Sequence, residues 1–153
     1  MREHLNESLK DAVKAKDSRK ACTLRLINAA IKDRDIAVRS SGSEKLSDRE
    51  IIDLLAKMVK QREESTRIYE EAGRLDLAGQ ERDEIAIIRE FMPRQLSESE
   101  VSAAVIRVID ETGAEGLRDM GKIMSAMKSQ FPGQFDACKA SSVAKQHLSA
   151  AAS

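Results

Sequence analysis

Apolar residues recur every three or four positions along most of this chain, a period that favours helices over strands. Leu5, Leu9, Ala12 and Val13 set one such stripe over 2–16. Asp17-Ser18 interrupts it, and Cys22, Leu24, Leu26, Ile27 and Ile31 resume it over 18–39. The small, polar run Ser40-Ser41-Gly42-Ser43 reads as a loop. Ser47 with Glu50 then forms a capping box ahead of Ile51, Ile52, Leu54 and Leu55, because the two side chains satisfy orphan N–H groups of a first helical turn. That helix is predicted to run to Gly73. A fourth, over about 76–91, has to stop before Pro93, which lacks an N–H and disfavours helical geometry at Met92. Ser97 with Glu100 opens a helix bearing Val101, Val105, Val108 and Ile109, closed by Gly113. Two shorter helices, about 118–130 and 137–149, flank Pro132-Gly133, with Asp136 placed to cap the second.

These elements predict an all-α fold with a four-helix N-terminal unit over 1–93 and a three-helix C-terminal unit over 94–153, divided at Pro93–Leu96. Leu, Ile, Val and Phe supply only 34 of the 153 residues, so Ala and Met have to fill much of the core. Cys22 and Cys138 stand alone, which supports neither a disulfide framework nor a zinc site and suits a reducing compartment. The first residues lack an apolar signal region, and no stretch reaches 18 uncharged apolar residues. A cytoplasmic protein without membrane association is the expectation.

Charge balances overall, with 26 basic and 26 acidic residues, so any electrostatic partner must be recognised locally. Residues 118–147 hold five basic residues, Arg118, Lys122, Lys128, Lys139 and Lys145, against two acidic ones. Arg118 and Lys122 are four apart, a spacing that places them on one face of a continuous helix. In the first unit Arg25, Lys32 and Arg39 recur every seven residues with Asn28 among them, a stripe able to follow a phosphate backbone. Tyr69 and three phenylalanines are too few for base stacking, so RNA contacts would be to backbone and shape.

Gly116 to Lys122 spells G-x-x-x-x-G-K, but Ile123 stands where a phosphate-binding loop needs Ser or Thr, and no strand precedes it. Asp119 near a helix start and Gly121 permitting close approach of a neighbouring backbone explain these residues better. His4 and His147 have no catalytic partner at a recognisable spacing, and the Glu63-Glu64 and Glu70-Glu71 pairs read as solvated surface. Met120, Ile123, Met124 and Met127 form one helical face, suited to a core or to a pliable partner groove. No catalytic residue, metal ligand or cofactor site is assigned.

The runs Val59-Lys60-Gln61-Arg62-Glu63-Glu64-Ser65, Tyr69, Ala72-Gly73-Arg74, Asp76-Leu77-Ala78 and Glu81 resemble the GatB/YqeY family, and its free-standing YqeY-like members in particular. Met92-Pro93-Arg94-Gln95-Leu96-Ser97, Asp119 to Met124, Gly133-Gln134-Phe135-Asp136 and Val143-Ala144-Lys145 continue the resemblance along essentially the whole chain. It implies two helical units, the second similar to the C-terminal tail of the B subunit of the amidotransferase acting on misacylated Glu-tRNA(Gln) or Asp-tRNA(Asn). That tail helps hold tRNA. The resemblance further implies a label of carbon–nitrogen ligase activity with glutamine as amido-N-donor, although a chain this short lacks an amidase or phosphorylating core and is expected not to catalyse alone.

Within the tail pattern Lys122 follows the family's Gly-Lys, Gly133 and Asp136 occupy its Gly-x-x-Asp positions, and Lys145 its Val-x-Lys; Gln134 and Ala137 depart from the usual basic residue and glycine. The resulting expectation is a tRNA-binding or amidotransferase-associated helical adaptor. Its candidate contacts are Arg118, Lys122, Lys128, Lys139 and Lys145, with Gly121, Gly133 and Asp136 as turn and cap residues. The alternative is a protein-interaction module using the Met-rich face or a groove between the units.

Overall fold

The computed structural model describes residues 1–151, the side chain of Ala151 excepted. Among them are seven α-helices and no strand: α1 (Arg2–Lys14), α2 (Ser18–Arg39), α3 (Asp48–Glu71), α4 (Leu75–Arg89), α5 (Glu98–Thr112), α6 (Met120–Gln130) and α7 (Ala137–Ala151), with a 3₁₀ turn at Leu117–Asp119. Met1–Met92 forms one compact unit and a second begins at Pro93.

Both capping boxes form. The Ser47 and Ser97 hydroxyls accept from the N–H groups of Glu50 and Glu100, and those glutamates accept from the serine N–H groups at 2.7 and 2.8 Å. The end of α5 is equally specific. Gly113 takes φ +65, which costs a glycine no Cβ clash, and lets the Ala114 N–H reach the Ile109 carbonyl at 3.2 Å while its own reaches Asp110. The helix predicted over 2–16 is shorter, because Lys16 adopts φ 57 and the Asp17 N–H turns back to the Ala12 carbonyl. Three short backbone bonds over Glu90–Met92 end α4 early and drop Phe91 into the core.

In the first unit α1 packs on α2, α3 and α4 form a long hairpin, and α2 lies against α4. Leu5, Leu24, Ile27, Ile51, Leu55 and Ile88 are fully buried there. Each such side chain contributes about 1.5–3 kcal/mol through removal of its surface from water. Thr23 and Thr66 share that interior, and their hydroxyls donate to the carbonyls one turn earlier, of Arg19 and Arg62.

Asp35 is also buried, at 8% exposure, and was not legible as a core residue. Arg2 grips it through two 2.8 Å bonds, and the Leu46 N–H donates to the same carboxylate at 2.8 Å. The Arg2 guanidinium first, and then that N–H, hold its pKa down to about 2. The loop after α2 is thereby tied to α1 and α2 together.

In the second unit α5 packs on α6 and α7, which also touch each other. Val105, Val108, Ile123, Met127, Ala140 and Ala144 are fully buried. The core there relies on Ala, Val and Met, as composition requires. Two bonds fasten the opening segment to the α6–α7 turn: Leu96 N–H donates to the Gln134 carbonyl at 2.8 Å, and Gln95 Nε2 to that of Gly133 at 2.6 Å.

Candidate nucleic-acid interface

Arg118, Lys122, Lys128, Lys139 and Lys145 are all exposed. Arg118, Lys139 and Lys145 have no acidic partner among the described residues, and Lys122 approaches Asp119 at only 3.8 Å. Their arrangement is less regular than the spacing implies. Arg118 belongs to the 3₁₀ turn and α6 starts at Met120, so Arg118 and Lys122 do not share a continuous helix face. At about 100° per residue, Lys122 and Lys128 lie about 120° apart around α6, as do Lys139 and Lys145 around α7. The buried Ile123 and Met127, and Ala140, Ala144 and Leu148, occupy the opposite side of each helix. The cations therefore spread over the outer side of each helix instead of forming one stripe.

Asp119 caps α6 by position, yet its carboxylate turns the other way and accepts from the Glu115 N–H at 3.1 Å. That bond, with Lys122 assisting, lowers its pKa. Gly121 sits in the first turn of α6, and a Cβ there would meet nothing within 4 Å. The close helix approach expected of it is absent among the described residues. Gly133 has φ +69 in the turn before α7, and Asp136 accepts from the Cys138 N–H at 2.8 Å, which caps that helix. Gln134, which stands where a basic residue was expected, anchors Leu96 through its backbone. The G-x-x-x-x-G-K run follows a helix, not a strand, and holds no phosphate-cradling loop.

Met127 and Ile123 are fully buried, with Met120 and Met124 packed against the same cluster, so the Met-rich face is core and not a partner groove. The glutamate pairs lie on the solvated surface, where Glu63 meets Arg89, Glu64 and Glu71 flank Arg67, and Glu70 meets Arg82. No group of three or more His, Cys, Asp or Glu among the described residues is placed to hold a metal ion. No helix among them is long and apolar enough to cross a membrane.

Residues 2–148 match the YqeY-like protein family. The chain belongs to that family. A relative in Saccharomyces cerevisiae, altered inheritance of mitochondria protein 41, mitochondrial, is 30% identical over 108 residues, which is 69% of this chain and 57% of the relative. The protein of the same name in Eremothecium gossypii is 36% identical over 89 residues, 58% of this chain and 47% of its own length. That of Lachancea thermotolerans is 30% identical over 110 residues, 71% of this chain and 57% of its own. The chain thus spans about half the length of the curated relatives it matches, and those relatives carry a mitochondrial label.

Proposed function

We propose that this YqeY-like chain is a non-catalytic adaptor that binds tRNA through α6 and α7 and works beside a glutamine-dependent aminoacyl-tRNA amidotransferase. The observation that carries the reading is a set of exposed cations in the second unit, of which Arg118, Lys139 and Lys145 lack a carboxylate among the described residues. An exposed cation with no ion pair keeps its full capacity to displace counterions from a phosphate backbone. The resemblance of this unit to an amidotransferase tail supplies the kind of RNA. The compartment in this reading is the cytoplasm, which fractionation of a tagged chain checks; the mitochondrial names belong to the relatives.

Because the lysines of each helix stand about 120° apart, a single backbone reaches only part of the set. About two or three phosphate contacts are expected, giving a slope of log affinity on log salt near −2. Titration of the chain with total tRNA over a salt series tests this. The double variant Lys122→Glu, Lys145→Glu should flatten the slope and weaken binding at every salt concentration. Binding that is absent at low salt removes the proposal.

A further inference from the structure

The outer face of α2 is built from rows that the fold leaves unused. Ala21, Thr23, Leu24, Ile27, Ile31 and Asp35 turn inward. On the opposite side Cys22, Ala29 and Ile36 recur every seven residues, all exposed, with Ile36 at 64%. Seven residues are nearly two turns, so these three stay within about 40° of one line along the helix. Arg25, Lys32 and Arg39 repeat with the same period about 60° to one side. Leu26, 45% exposed, and Asp33 follow about 40° to the other.

Asn28 lies beyond the cation row and bonds to Asn6 Oδ1 at 3.4 Å, so the row ends where α1 begins. None of Arg25, Lys32 and Arg39 has an acidic partner among the described residues. By contrast Arg62, Arg67, Arg74, Arg82 and Arg89 in and beside α3 and α4 all have one.

We propose that this face docks an acidic amphipathic helix from a protein partner. The central row runs from Cys22 to Ile36, about 21 Å or four turns, which sets the partner's length. Cys22 and Ala29 are small and let a second helix axis come within packing distance. The partner's apolar stripe covers Leu26, Ala29 and Ile36, and its carboxylates, spaced every seven residues along one edge, face Arg25, Lys32 and Arg39. Asp33 on the other edge favours a basic residue there and fixes which way round the partner lies.

An RNA backbone would use the cations but gains nothing from Ile36 and Leu26 and is repelled by Asp33. A second copy paired antiparallel through the same face would set the two cation rows against each other, and a parallel pair would offer each row of three cations a single carboxylate, Asp33.

The test uses the full chain and a synthetic four-turn helical peptide with leucines on one stripe and glutamates every seven residues beside it, read by fluorescence anisotropy. The peptide should bind, and the variant Arg25→Glu, Lys32→Glu, Arg39→Glu should weaken it about tenfold. A peptide with lysines in place of the glutamates should prefer that variant to the parent chain, a rescue that misfolding cannot produce. Ile36→Asp should weaken both peptides, with circular dichroism confirming the helices.

The Lys122→Glu, Lys145→Glu variant should bind the acidic peptide unchanged, which separates this inference from the tRNA reading. Absence of peptide binding, or binding indifferent to the three reversals, overturns it. If the reversals instead abolish tRNA binding while the peptide never binds, the face belongs to RNA and the inference falls.

Discussion

The two units use their charged side chains in opposite ways. In the first, ion pairs join helix to helix: Arg2 to Asp35 between α1 and α2, Arg19 to Asp83 between α2 and α4, and Arg62 to Glu84, Arg82 to Glu70 and Arg89 to Glu63 along the α3–α4 hairpin. In the second, the pairs among the described residues are local in sequence, Arg94 with Glu100, Arg107 with Glu111 and Lys122 with Asp119. The lesson is that net charge says little about availability. Arg62, Arg82 and Arg89 are already paired across the α3–α4 hairpin, whereas Arg118, Lys139 and Lys145 face solvent without a carboxylate among the described residues.

The largest effect that sharpens this contrast is in the cores. Ile88→Ala removes a fully buried side chain from the first unit and should lower stability by about 2–5 kcal/mol. Met127→Ala in the second should lie near the lower end of that range, because a flexible, Ala-rich surrounding closes part of the cavity. Urea denaturation followed by circular dichroism measures both. Equal losses would show that the second core is as rigid as the first.

Acid tests the buried pair next. Asp35 is held at about 2, below the roughly 3.9 of an unfolded aspartate, so its stabilising contribution is complete above pH 4 and disappears as pH falls toward 2. Thermal melts across that window should show a loss of stability that Asp35→Asn reduces, the variant starting lower at neutral pH.

Arg62→Ala should cost about 1–3 kcal/mol, since it strips the half-buried Glu84 of its 2.9 Å partner. Lys139→Ala and Lys145→Ala should each change stability by less than about 0.5 kcal/mol. A substantial loss at either lysine would mean that these cations also belong to the fold.

The smallest effect concerns Glu81, whose pKa is raised by burial and by neighbouring Glu84. Glu81→Gln should raise the melting temperature slightly at pH 7 and give no gain in acid, where Glu81 takes up a proton itself.

Much of this was legible in the sequence, for local reasons. Ser47 with Glu50, Ser97 with Glu100, and Gly113 act within one helical turn, so spacing alone locates them. The end of α1 escaped because Lys16 takes a left-handed conformation that its residue type does not advertise. Arg118 was misplaced because the 3₁₀ turn at Leu117–Asp119 breaks the four-residue register with Lys122. Asp35 and the arginine pairs of α3 and α4 depend on which residues of two helices come level, and that register is written in packing, not in the period of either helix. Thr23 offered a faint signal, standing beside Leu24 on the inner face that also carries Ile27 and Ile31.

The decisive measurement is the affinity of the intact chain for total tRNA as salt rises, compared across three proteins: the parent, Lys122→Glu with Lys145→Glu, and Arg62→Ala with Arg82→Ala. The account predicts a slope of log affinity on log salt near −2 for the parent, a flattened slope for the lysine pair and an unchanged slope for the arginine pair. Loss of binding in the arginine variant while it remains folded, with the lysine variant indistinguishable from the parent, would contradict it.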